Sequence, residues 1–168
     1  MANICYVEGR VWAPTKNKIR DFISWLGRYK MLQVEEIEEI EKLENGLYSQ
    51  KFVGDCKWSI ESSINNRGDG KGDLTTKTKG IVVELWSQEN GMGFQEHYVV
   101  ENNGITTNEC KDWNEYCVDD FDSLEELNEG FGSQFTDEDI DCYGYVHFGG
   151  FDGWGEYADD VTPDLFED

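Results

Sequence analysis

Bases are missing from one half of this chain. Residues 85–168 contain a single Lys, Lys111, no Arg, and 23 Asp or Glu. Residues 1–84 hold 13 Lys or Arg against 13 Asp or Glu, so the whole formal net charge of -22 arises in the second half. A field of that sign excludes nucleic acid as a direct ligand and attracts basic surfaces. Solubility alone asks for much less, a net charge of about 2–8 in magnitude. Long apolar runs are also missing. No stretch approaches the roughly 18 apolar residues of a membrane-spanning helix. The start, "MANICYVEGRVWAP", has no basic segment followed by an apolar one, so no secretory signal is read there. The expected location is the cytoplasm of a bacterial host cell, with no membrane partner. The five cysteines, Cys5, Cys56, Cys110, Cys117 and Cys142, include no CxxC pair. They read as free thiols rather than a disulfide framework.

What is present is aromatic. Six Trp, eight Tyr and nine Phe offer ample apolar area for one domain, so the low mean hydropathy of -0.65 reflects charge and not a lack of core formers. Residues 3–12 alternate as a first strand. A helix follows from Pro14 and Thr15, with Ile19, Phe22, Ile23, Trp25, Leu26 and Tyr29 at helical spacing. In residues 33–44, Val34, Ile37, Ile40 and Leu43 recur every three positions, which fits a narrow helical stripe or a charged strand edge. "LYSQKFVGDCKWSI" reads as two strand segments around Gly54-Asp55. Residues 65–73 are a Gly-rich loop and 74–79 a short element. "GIVVELWS" and "FQEHYVVEN" are paired strands, and Asn103-Gly104 turns the chain into another.

From 112 the texture changes. Residues 112–142 carry twelve Asp or Glu, no base and five aromatics. Acidic runs without aromatics are usually disordered; this combination predicts a folded acidic surface. Ser123 caps a short helix over 119–130, which Gly130 ends. Tyr143, Tyr145 and His147 alternate on a last strand. The order of elements predicts an α+β fold, a mainly antiparallel sheet with helices packed on one face. Residues 1–110 form its core, 111–158 an acidic aromatic C-terminal extension of the same domain, and 159–168 a frayed tail.

Three segments carry a resemblance: "MANICY", "GDCKWSI" and "LWSQENGMGFQEHYVVENNGI". In the last, Ser87, Glu89, Gly91 and Phe94 follow a strand in the manner of an S-E-x-G-x-x-F hairpin, with Gln88 inserted between the Ser and the Glu. The chain resembles the YubB-type ferredoxin-like family of phage and plasmid proteins over residues 1–110, and thinly beyond. The late "GGFDGW" is similar to the Gly-aromatic end of such chains. The resemblance implies a ferredoxin-like sheet and a mobile-element origin. It implies no activity, and the fold hosts many functions.

Chemical motifs are weak. Asp137, Asp139 and Asp141 match the first positions of a calcium loop, but Cys142 and Phe148 stand where Gly and Glu belong. Cys110/Cys117 and Cys142/His147 do not make a zinc pattern, so no metal site is expected. His97 or His147 with Cys56 or Cys110 would make a nucleophile and base only by chance meeting. "RGD" at 67–69 and "GDGKGD" are coincidences of letters, the latter failing as a phosphate loop. Trp12, Trp25, Trp58 and Trp86 occupy core positions. No catalytic residue and no cofactor is expected.

The leading expectation comes from charge density. Duplex DNA carries about one charge per 1.7 Å of axis, so the nineteen acids of residues 112–168 match roughly ten base pairs. With a mobile-element origin, this predicts an anti-CRISPR that inhibits a CRISPR effector nuclease by DNA mimicry, a protein–protein interaction with a basic nucleic-acid-binding partner. The expected partner-binding residues are Asp112, Glu115, Asp119, Asp120, Asp122, Glu125, Glu126, Glu129, Asp137, Glu138, Asp139 and Asp141. Trp113, Tyr116 and Phe121 are the expected aromatic anchors. The alternative is an acidic interaction module for another basic partner, such as a restriction enzyme, without mimicry.

Overall fold

The computed structural model describes residues 3–29, 32–64 and 74–166; the Gly-rich loop with its "RGD" and "GDGKGD" letters lies outside the described residues. The fold is α+β. Eight strands form one sheet in the order β2-β4-β1-β5-β6-β7-β8, with β3 also on β4, and every pairing is antiparallel. The strands are β1 (Ile4–Ala13), β2 (Leu32–Ile37), β3 (Glu41–Lys42), β4 (Tyr48–Lys57), β5 (Val82–Glu89), β6 (Phe94–Glu101), β7 (Gly104–Cys117) and β8 (Tyr145–Gly149). The helices are α1 (Lys16–Leu26), α2 (Ile60–Ile64) and α3 (Leu124–Phe131). The chain runs β1-α1-β2, then β4-α2-β5, and the strands interleave as β2-β4-β1-β5, which is consistent with a ferredoxin-like arrangement.

The period-two alternation of strands gives the sheet two distinct faces. One carries Cys5, Val7, Val11, Phe52, Val83, Leu85, Tyr98 and Val100, packed against Ile19, Phe22 and Leu26 of α1 and Ile60 and Ile64 of α2. Thr15 starts α1 by accepting the N–H of Lys18. Gly9 stands directly opposite Phe52, and a Cβ there would lie 2.2 Å from the ring, so this strand glycine makes room for the largest side chain of that row.

Two local expectations are resolved by pairing. Residues 33–44 are not helical: β2 and β3 hydrogen-bond to β4, with a bulge between Val34 and Glu36. Glutamates on this edge discourage further strand pairing. Gly54-Asp55 does not divide the following strand. β4 runs unbroken from Tyr48 to Lys57, and a Cβ at Gly54 would sit 2.1 Å from the Gln33 carbonyl oxygen. The glycine marks a close approach of two backbones, which has the same letter signature as a turn.

The opposite face is covered by the C-terminal part of the chain. Phe151 N–H donates to Gln95 Oε1, Trp154 Nε1 to the Ser87 carbonyl, and Ala158 N–H to the Glu84 carboxylate, the first and last bonds at 2.9 Å. Trp86 Nε1 donates to the Glu156 carbonyl at 3.1 Å. Beyond 158, where the sequence suggests fraying, Val161 is buried with Trp12, Leu47 and Val82, and Asn45 Nδ2 donates to its carbonyl.

Candidate functional site

β7 has 14 residues and pairs with two partners in succession. Its first part pairs with β6 up to Asp112, opposite Phe94; from Trp113 onward it pairs with β8 on the other side. Residues 118–144 form an excursion between β7 and β8. It contains a 3-10 turn at Val118–Asp120, α3, and a second 3-10 turn at Asp137–Asp139. This excursion carries the acidic surface.

Rings on its inner side hold it. Tyr116 of β7 and Phe148 of β8 share one sheet face by their register, and Phe131 packs on both, with ring centroids 4.4 and 5.2 Å away. Phe121 meets Phe131 at 5.9 Å and Phe135 meets Phe148 at 4.8 Å. Leu127 and Val146 are fully buried. Each such ring pair stabilises by about 0.5–1.5 kcal/mol beyond area burial. By alternation this cluster lies on the same side of the sheet as α1 and α2.

Polar side chains fix the excursion's turns. Ser123 caps α3 by accepting the Glu126 N–H, as expected, but the helix ends at Gly132 (φ 66°) rather than Gly130. The Asn128 amide accepts from Ser133 Oγ and Phe135 N–H and donates to the Phe135 carbonyl, closing the next turn. Asp139 accepts the Thr136 N–H. Asp141 accepts from the N–H groups of Tyr143 and Tyr145, and its other oxygen lies 2.8 Å from His147 Nε2. The Tyr145 N–H first, then His147, holds the Asp141 carboxyl below its usual range.

The expected partner-binding acids separate into two groups. Asp112, Asp119, Asp120, Asp122, Glu125, Glu126, Glu129, Asp137, Glu138 and Asp139 are exposed, while Glu115 and Asp141 are half-buried beside His147. The expected anchors are turned inward. Trp113 is only 4% exposed and packs against His147, with centroids 5.5 Å apart, while Tyr116 and Phe121 belong to the ring cluster. Tyr143, at 82% exposure, and Met92 at the β5–β6 turn project most, and Phe131 of the ring cluster is itself partly open to solvent. Trp58, expected in the core, is 54% exposed. β4 ends at Lys57, and Trp58 takes a left-handed φ of 70° as the chain reverses into α2.

Sequence reasoning passed over the buried carboxylates. Glu96 accepts from the N–H groups of Ile60 and Glu61 at the start of α2 and from Ser87 Oγ. Burial pushes its pKa up, against the pull of those bonds. Glu89 accepts from Gly91 and Met92 N–H and holds the β5–β6 turn. Alternation was the available signal, since Glu96 falls on the apolar side of β6.

The Cys and His positions do not assemble as a nucleophile with its base. Cys5 and Cys56 face each other across β1 and β4 on the helical face, where a hydrogen bond to Cys56 and burial push the Cys5 thiol up. Cys110 stands opposite Glu96, on the face away from His97. His97 stacks on Trp86 at 3.8 Å, with Nε2 3.5 Å from Glu84 and Nδ1 3.7 Å from Glu109. Among the described residues, no three His, Cys, Asp or Glu side chains are grouped to hold a metal ion, and no helix is long and apolar enough to cross a membrane. Compared with known proteins, the chain matches no family model, no curated protein and no solved structure.

Proposed function

We propose that this chain is a mobile-element anti-defence protein that inhibits a CRISPR effector nuclease by presenting carboxylates where the nuclease binds target DNA. Its core is assigned to the ferredoxin-like class, in keeping with the interleaved order β2-β4-β1-β5, and its acidic part is an extension of that sheet. The partner is a basic nucleic-acid-binding protein, and the action needs neither catalysis nor a cofactor.

One observation carries the reading: nine exposed carboxylates ride on an excursion whose inner side is an apolar ring cluster, and a tenth, Asp112, stands on β7. A surface held in this way loses little conformational freedom on binding, unlike a disordered acidic tail. Opposite charge also speeds encounter with rows of Lys and Arg, and makes affinity fall with salt.

The test is competition. The purified protein is added to a panel of CRISPR effector complexes and restriction enzymes, each with labelled target DNA, at low and high salt. Release of DNA from one complex, reversed by salt, is the expected result. Retention of DNA by every complex would sink mimicry of these targets. A second reading, an acidic interaction module without mimicry, draws on Tyr143, which projects from the acidic excursion. It predicts binding to a basic partner that weakens more on Tyr143→Ala than on raising salt.

A further inference from the structure

The acidic extension does not account for a basic cavity on the other half of the molecule. A depression of about 380 Å³ lies between α1 and residues 77–81. From α1 it receives Lys18, with Phe22 and Trp25 forming its apolar wall, and from the turn just after α1 it receives Arg28. From the facing segment it receives Lys77, Lys79 and Ile81. Among the described residues, Asp21 is its one carboxylate, so the lining they form carries four positive charges against one negative, in a chain of net charge -22.

These cations are not used up internally. The ion pairs among the described residues join Arg10 with Glu41 and the two histidines with carboxylates; none involves Lys18, Arg28, Lys77 or Lys79. Four cations sharing one depression with a single carboxylate repel one another unless a further anion joins them. The wall is also built. Trp25 stacks on Tyr29 at 4.8 Å, and the left-handed Gly80 (φ 71°) leaves space for Lys18 Nζ, which would lie 2.5 Å from a Cβ at that position.

We infer that this cavity binds a nucleoside di- or triphosphate. The charge surplus matches a polyphosphate, and Arg28 offers the planar fork that suits phosphate oxygens. The half-buried Trp25 supplies the apolar surface for the base, Phe22 and Ile81 being themselves buried, and the volume falls at the lower end of the range for small-ligand sites. Residues 1–84 are neutral by count, and screening over about 8–10 Å limits the reach of the acidic half. The inference is independent of the proposed inhibition.

The test is calorimetric titration of the full chain with ADP, pyrophosphate and adenosine at an ionic strength of about 0.1 M. ADP is expected to saturate a single site, pyrophosphate to bind at least about fivefold more weakly, and adenosine to give no heat. Lys77→Glu with Lys79→Glu, both exposed, is expected to weaken ADP at least about tenfold with an unchanged circular dichroism spectrum. Should that pair fail to fold, Arg28→Gln provides the same comparison. No saturation by ADP up to about 5 mM, or equal affinity in the variants, overturns the site. Equal affinity for pyrophosphate and ADP overturns the nucleotide assignment.

Discussion

A carboxylate is ordinarily a surface group, yet Glu84, Glu89 and Glu96 are all buried in this sheet. Each replaces a missing backbone partner: Glu84 binds the Ala158 N–H, Glu89 the β5–β6 turn, and Glu96 the first N–H groups of α2. Because burial raises the pKa of Glu96 in the folded chain, its contribution to stability is fully present below the unfolded value of about 4.5 and is lost as pH rises through the folded value. Glu96→Gln does not titrate. The stability gap between wild type and this variant is therefore expected to be largest near pH 4 and to shrink toward pH 7 in urea titrations; a constant gap would remove Glu96 as the titrating group. At Gly54 the constraint is steric. Gly54→Ala is expected to cost about 1–3 kcal/mol, because a Cβ there meets the Gln33 carbonyl. Thermal unfolding measures this, and an unchanged Tm would show that β2 shifts freely.

The excursion 118–144 is where sequence becomes element. Its acids repel one another, so α3 depends on its cap, its left-handed Gly132 and the completely buried Leu127. Leu127→Ala is expected to cost about 2–5 kcal/mol locally. Limited proteolysis should then cut within 121–135 while strands β1–β6 stay intact. Intact excursion in that variant would mean that the rings alone suffice. The capped helix was legible, since Ser123 and Glu126 are a sequence-level signature. The roles of Phe131, Phe135 and Phe148 were not, because which rings meet depends on β7 changing partner at Trp113.

At the scale of the whole molecule, charge and covering separate. Helices cover one face, the segment from Phe151 to Val161 covers the other, and the acidic excursion extends one edge. Asp119, Asp120 and Asp122 are exposed, so replacing all three with Asn is expected to leave the fold unchanged. If the proposed inhibition holds, affinity for the target complex should fall about two- to tenfold, with a shallower dependence on salt. This is read in the competition assay at two salt concentrations. Full potency in the triple variant would separate inhibition from the carboxylates.

By itself the sequence determined what is local or additive: the α+β class, α1 with its apolar spacing, the hairpin at Asn103-Gly104, and a net charge confined to one half. These follow from side-chain periodicity and composition, which neighbours in space do not alter. Tertiary structure decided whatever depended on a partner. It made a strand edge of residues 33–44, where a three-residue spacing fits either form, because β4 supplied hydrogen bonds. It turned Gly54 from a break into a contact, turned Trp113 inward and Trp58 outward, and brought Lys77 and Lys79 to α1 across more than fifty residues of chain. Burial and cross-chain contact are properties of pairs of segments, and no single stretch of sequence contains them.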